Sequence, residues 1–442
     1  MLTRSKSMIG KAPLFTRLAI GGPGLPAALV RFLAAIMLAA LLFAPSGAFA
    51  QSRRGSQPLT PEQREALVER ADELVRGRAY AAGVDFARWE EIRDRYRDRI
   101  NSAESTGTLT AVLNRALREL GISHLEILPP EAAVQINRTS MSGIGITSQP
   151  SGQGVLVVKL VENAPAQKAG VRVGDTIIEV DGKPYSDADQ IRGPAGTKVR
   201  IKVEREDGST AEFVITRASF STIEPETLER LDEEAFKLTV PTFAAGYDRD
   251  NIQKLLREAR GGKYLVIDLR NNGGGDFANM VHFLSCLLPP GTQIGTQVSR
   301  EMAERFKLET DGDPDDPVAV AKWSSRKSRT WRSSPVKPFD GKIAVLINRG
   351  SASASEIVAA ALSELRGAPL VGSRTAGAVL VSTYNRMSDG FLMKVPLSEW
   401  VTIKGRRLEG NPLVAEVQVP FSRRGAEESV AVEKALERLR QD

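Results

Sequence analysis

Ile343-Ala344-Val345-Leu346-Ile347-Asn348-Arg349-Gly350-Ser351-Ala352-Ser353-Ala354-Ser355-Glu356-Ile357 is the stretch that decides the fold. Five consecutive apolar residues read as a strand buried on both faces, and the alanines and leucines from Ala354 to Leu365 read as a helix. Between them lies a turn of small and polar residues. A second apolar run, Tyr264 to Leu269, enters a glycine loop, Asp268-Leu269-Arg270-Asn271-Asn272-Gly273-Gly274-Gly275. From about Ile223 onward strands alternate with helices, which predicts an α/β layered core over 220–442. A serine at a strand-to-helix turn is held up from the backbone, beside amides at a helix start that can stabilise an oxyanion. Ser353, flanked by alanines that let a peptide approach, is therefore the candidate nucleophile.

Upstream, from about Ile136 to Ser219, short apolar strands are separated by glycine turns. Two segments stand out. Ser142-Gly143-Ile144-Gly145-Ile146 resembles the carboxylate-binding loop of PDZ domains, and Asn163-Ala164-Pro165-Ala166 through Gly174-Asp175 and Val180-Asp181-Gly182 resembles their helix and turn signature. A glycine-rich turn can aim successive amides at a terminal carboxylate while the adjoining strand pairs with the peptide backbone. A PDZ-like module at 135–219 is expected, with Ile144 and Ile146 lining a side-chain pocket and polypeptide tails as the partner.

Before it, 51–120 is helical in pattern, with Leu67, Ala71, Leu74 and Val75, then Trp89, Ile92 and Tyr96, then Leu109, Leu113 and Leu117 at helical spacing. Thr60-Pro61-Glu62 reads as a helix start and Gly121 as a stop, giving a small helical cap, with 121–134 a linker strand carrying His124. The first fifty residues hold Arg4, Lys6, Lys11, Arg17 and Arg31, no acid, and an apolar run from Phe32 to Ala44 followed by Ala48-Phe49-Ala50. That is the pattern of a signal peptide at 1–50 with a chain start at Gln51, hence a periplasmic or secreted protein. An uncleaved anchor is the other reading, and the only membrane association expected.

The formal net charge of +6 falls to +1 without those five cations, so the basic balance belongs to the targeting segment. No basic stripe with interleaved aromatics follows, which argues against nucleic acid as a partner. A single cysteine, Cys286, excludes an internal disulfide framework and a cysteine-based metal site. The polar stretch from Gln297 to Pro338, with Asp311, Asp313, Asp315 and Asp316 before Arg326, Lys327, Arg329 and Arg332, reads as an inserted loop at about 297–338. Its aspartates lack the spacing of a calcium loop. No metal and no cofactor is expected.

Gly350 to Ile357 and Asp268 to Gly275 together resemble the two signatures of the tail-specific, C-terminal-processing serine proteases, and with the PDZ-like module the similarity covers roughly 120–430. The resemblance implies a crotonase-like spiral core, Ser353 as nucleophile, an oxyanion hole from the amides of Ala354 and Gly274, and possible homo-oligomers. Many members pair the serine with a lysine twenty-five residues downstream. Here that position is Ala378, in Gly377-Ala378-Val379. Leu120-Gly121-Ile122-Ser123-His124-Leu125 instead resembles the tricorn-core branch, in which a Ser-His pair before the PDZ module and a distant glutamate complete a Ser-His-Ser-Glu tetrad. On that resemblance His124 is the general base, Ser123 orients it, and Glu409, in Arg406-Arg407-Leu408-Glu409-Gly410, acts through Ser123 or a water. Lys394 and Lys404 are the substitute bases, and His282, on an apolar helix, reads as packed or rim-exposed.

Two rivals remain. One is an inactive PDZ-containing scaffold that only captures tails, favoured by the missing lysine and by the departure of Gly410-Asn411-Pro412-Leu413-Val414-Ala415 from the family pattern. The other is an apolar-ligand carrier, for which only the shared core speaks.

Overall fold

The computed structural model describes residues 58–134, 136, 139–152, 154–419 and 427–441; the signal-peptide expectation lies outside them. Helix Pro61–Gly77 starts where the sequence places it, Thr60 and Gln63 capping each other reciprocally with Pro61 in the first turn. Helices Arg88–Arg95, Arg97–Asn101 and Thr106–Leu117 follow, and Gly121, at φ +74°, ends the last turn. Their apolar faces, Leu74, Trp89, Ile92, Leu109 and Leu113 among them, pack with Ile127, Phe391, Met393 and Val395 of the neighbouring strands. Those helices thus rest on the sheet that carries the linker strand after His124.

A five-strand antiparallel path runs Ile146–Ser151, Gly154–Leu160, Thr176–Val180, Lys198–Glu204 and Thr210–Thr216, with the short helix Pro165–Ala169 beside it. Val157, Ile177, Val199, Ile201 and Val203 alternate inward to make its separate core. The ribbon Ser140–Gly143 with Ala218–Ser221 brings the chain into and out of this module.

The main sheet has the order Thr227–Arg230, Ala235–Thr239, Tyr264–Asp268, Lys342–Ile347, Leu370–Gly372 and Val417–Gln418, parallel after its first pair. Leu265, Val266, Ile267 and Val345 to Ile347 are wholly buried, as strands covered on both faces require. Helices Arg249–Glu258, Phe277–Ser285 and Ala354–Arg366 share a core cluster with one face, and Glu427–Gln441 packs on the other through Ala431, Ala435 and Leu439. A second sheet joins Glu126–Leu128, Leu392–Thr402, Gln293–Ser299 and Ser328–Arg329, with Leu380–Arg386 also paired to Leu392–Thr402.

The stretch expected as a polar loop at 297–338 is instead built. It completes a strand to Ser299 and forms helices Arg300–Thr310 and Pro317–Trp323. Ser299 and Asp316 cap the two helices, and Met302, Ala303, Phe306, Val320 and Ala321 bury against Tyr80, Val298 and Val401. The charges that suggested a loop lie in the connections, Asp311 to Asp316 between the two helices and Arg326 to Arg332 after them, while an apolar stripe at helical spacing faces inward from each helix.

Candidate active site

Ser353 sits where the sheet gives way to the helix. Its backbone is at φ +56°, ψ −120°, a region that side-chain-bearing residues rarely adopt and that persists only when surroundings over-determine it. The surroundings do so through hydrogen bonds. Ser351 Oγ donates to Leu269 O at 2.8 Å, Ala352 N to Asn272 O at 3.1 Å, and Ser353 N to Ala378 O at 3.0 Å. The two sequence signatures are thereby stapled together, and Ala378, the position of the absent lysine, lies against the nucleophile.

Gly274 closes the turn from above. At φ +93°, it has no room for a side chain: a Cβ there would stand 2.8 Å from Ser353 Cβ and 3.0 Å from Ala354 N. The Ala354 amide, first in its helix, makes no backbone hydrogen bond among the described residues and is available to an oxyanion. The Gly274 amide differs from expectation. It donates to Asn272 Oδ1 at 2.9 Å, because an asparagine two residues back closes a local side-chain turn. Asn272 is fully buried, and its Nδ2 donates to Val240 O at 2.8 Å.

Glu356, one turn into the helix, is a residue that motif reading names without a role. Its wholly buried carboxylate accepts from Thr375 Oγ1 at 2.5 Å, Gly377 N at 2.9 Å, Ala378 N at 3.0 Å and Ser353 N at 3.2 Å. Burial pushes its carboxyl above the ordinary range, and these hydrogen bonds oppose the shift. An acid three residues after a helix-start serine was the available signal.

The predicted base stands in a connected network. His124 is also held at positive φ, +60°. Ser123 Oγ lies 2.6 Å from His124 Nδ1 and donates to Glu409 Oε2 at 2.9 Å; Ser123 N donates to Glu409 Oε1 at 2.9 Å, and Val379 N to Glu409 Oε2 at 2.7 Å. A serine hydroxyl has one proton. With that proton on the Glu409 carboxylate, Ser123 Oγ must accept from His124 Nδ1–H, which leaves Nε2 as the free basic nitrogen. Glu409 contacts Ser123 directly, without an intervening group. Burial, assisted by the charge of Lys394, pushes the His124 imidazolium down to about 3, so the ring is neutral at ordinary pH. Val379 follows Ala378, which accepts from Ser353, so all four predicted residues belong to one linked set. No hydrogen bond joins His124 to Ser353 itself.

The other predicted positions separate from this set. Ser142 and Gly143 pair with Ser219 and Ala218 in the ribbon. Ile144 is 2% exposed in the module's core, whereas Ile146 is half-buried. Gly145, at φ +80°, has its Cβ direction blocked 2.2 Å from Ala164 Cβ. His282 is packed, 2.8 Å from Tyr247 Oη, and Lys404 is exposed. Among the described residues no cluster of three or more His, Cys, Asp or Glu is placed to hold a metal ion.

Residues 237–419 match the model of peptidase family S41, and 156–205 match a PDZ domain. The segment 237–419 is a peptidase family S41 domain. The chain is 28% identical over 291 residues to the "Carboxy-terminal processing protease CtpA" of Bacillus subtilis, covering 63% of this chain and 56% of that protein. It is 25% identical over 332 residues to the "Probable CtpA-like serine protease" of Staphylococcus haemolyticus, covering 72% and 61% respectively. The matches thus span less than two thirds of these relatives. In fold it resembles a protein of Bacteroides fragilis described as an S41 protease, with TM-score 0.54, 14% identity, and 83% and 95% coverage of the two chains. It also resembles the tricorn protease, with TM-score 0.51, 18% identity, 86% of this chain and 37% of that one. This S41 domain and its PDZ module confirm the family resemblance read from the motifs and the mixed α/β core.

Proposed function

We propose that this S41 protein is an exported serine endopeptidase, periplasmic or secreted, that cleaves unstructured or C-terminally marked polypeptides. The observation that carries the reading is the Glu409–Ser123–His124 network, whose hydroxyl geometry leaves His124 Nε2 as the free base. Ser353 Oγ attacks the peptide carbonyl as its proton passes to His124 Nε2. The oxyanion faces the Ala354 amide, and the Gly274 amide joins it once released from Asn272. Collapse breaks the C–N bond, the leaving amine takes the proton from His124, and water hydrolyses the ester by the same steps in reverse. The core is of the crotonase-like spiral kind, the N-terminal helices serve as a cap, and the PDZ module delivers tails along the outer edge of Ile146–Ser151.

Casein digestion by the mature chain beside Ser353→Ala and His124→Ala tests this. Activity lost in both variants supports the histidine-based protease, and undiminished activity in His124→Ala overturns it. The missing hydrogen bond between His124 and Ser353 favours a second reading, an inactive tail-binding scaffold. Inert wild-type chain with intact binding of a C-terminal peptide would establish that one.

A further inference from the structure

Glu399, in Leu392–Thr402, is wholly buried and takes both arms of an arginine fork. Arg407 donates to it twice, Nε to Oε2 at 2.8 Å and Nη2 to Oε1 at 2.7 Å. The same two side chains close on one residue of the N-terminal helical segment: Ala82 N donates to Glu399 Oε1 at 2.7 Å, and Arg407 Nη2 donates to Ala82 O at 3.0 Å. Both ends of the fork lead to Glu409. Arg407 precedes it by two residues in a tight return, where Thr402 N donates to Arg406 O at 2.9 Å, Gly405 N to Thr402 O at 3.0 Å, and Arg407 bridges to Val401. Leu380, opposite Glu399 in the paired strands, follows Val379, whose amide donates to Glu409 at 2.7 Å. The strand that carries Glu399 also pairs with Glu126–Leu128, directly after His124 and Leu125.

A buried ion pair seldom adds stability over apolar side chains of the same volume, because desolvation offsets the attraction. What a bidentate fork supplies is direction. Ser123 and Glu409 come from segments 286 residues apart, the first at the end of the helical segment and the second in the return that Arg407 anchors, and they meet at 2.9 Å. Such a contact holds only if the two segments are fixed against each other. We propose that Glu399 and Arg407 are positioning residues for the base, clamping the Glu409 return and the N-terminal helical segment at Ala82 in one register so that Glu409 meets Ser123. They act through Glu409 and Ser123 rather than on the reacting atoms. The inference rests on the peptidase reading and adds two residues to its machinery.

Peptide-hydrolysis kinetics, the rate of fluorophosphonate labelling at Ser353 and melting curves test it in the mature chain, in Arg407→Met, in Arg407→Lys and in the double variant Glu399→Leu with Arg407→Met. Arg407→Met should lose about 10- to 100-fold in kcat and in labelling rate while KM stays within about twofold, since a small misplacement of the base is costly and substrate contacts are untouched. The double variant removes both charges at similar volume, so it should melt close to wild type and remain slow. Arg407→Lys keeps the charge without the fork and should recover only part of the rate. A double variant as fast as wild type overturns the proposal, as do losses confined to KM or losses that merely track the melting temperature. Labelling separates the two levels: wild type and double variant labelled at equal rates defeats this inference alone, whereas a folded wild type that neither labels nor cleaves defeats the peptidase reading with it.

Discussion

Glu409→Gln keeps the shape of the side chain and removes its charge, which makes it a sharp probe of the base. The carboxylate accepts three hydrogen bonds, Ser123 N and Ser123 Oγ at 2.9 Å and Val379 N at 2.7 Å. A glutamine has one oxygen to offer. Placed at the Oε2 position it keeps Ser123 Oγ and Val379 N, but its NH2 then meets the Ser123 amide, donor against donor. The reverse placement loses two bonds. Losing one charge-assisted hydrogen bond in a buried setting is worth about 1.5 to 3 kcal/mol, and the imidazolium formed in the reaction loses its stabilising charge as well. At 1.4 kcal/mol per decade, kcat should fall by about 10- to 150-fold. Glu409 is 7% exposed and bonded inward, so KM should barely move. Peptide-hydrolysis kinetics beside a melting curve supply the assay. A kcat within twofold of wild type, or a loss confined to KM, would refute the network as the source of the base.

Because the His124 imidazolium is driven down to about 3, the acid limb of kcat/KM should lie well below the ordinary 6.5, and a limb at 6.5 in a pH–rate profile would contradict this. The same depression, shared by His282 at about 4, means the unfolded chain binds more protons between the folded values and 6.5. Stability should therefore rise with pH across that window and lose this dependence above it, which melting temperatures against pH will check. Gly274→Ala should cost about 2 to 4 kcal/mol through positive φ and overlap with Ser353, and should abolish labelling of the nucleophile while the PDZ module still binds peptide. Glu356→Gln should lower the melting temperature and cut kcat together, since the same carboxylate holds Ser353, Gly377 and Ala378; a stable, fully active variant would dismiss that role.

The parallel core, the helix start at Thr60 and the serine turn were legible because each is written in local pattern: continuous apolar runs, a capping pair, small residues between a strand and a helix. His124 and Ser123 were legible as neighbours, and Glu409 as a partner only through the family resemblance, since 286 residues separate it from Ser123. What sequence concealed was long-range or masked by charge. Asn272 holds the Gly274 amide by a side-chain turn that glycine spacing does not announce. Lys394 comes near His124 only because Leu392–Thr402 pairs with Glu126–Leu128. The helices at Arg300–Thr310 and Pro317–Trp323 were hidden because the aspartates between them and the basic residues after them suggested one continuous solvated loop.

The central claim is that His124 activates Ser353. Intact-mass measurement of the mature chain after a brief exposure to a fluorophosphonate, beside His124→Ala and Ser353→Ala, tests it most directly. The account predicts one stoichiometric adduct on wild type at Ser353, little on His124→Ala and none on Ser353→Ala. Equal labelling of wild type and His124→Ala would contradict it.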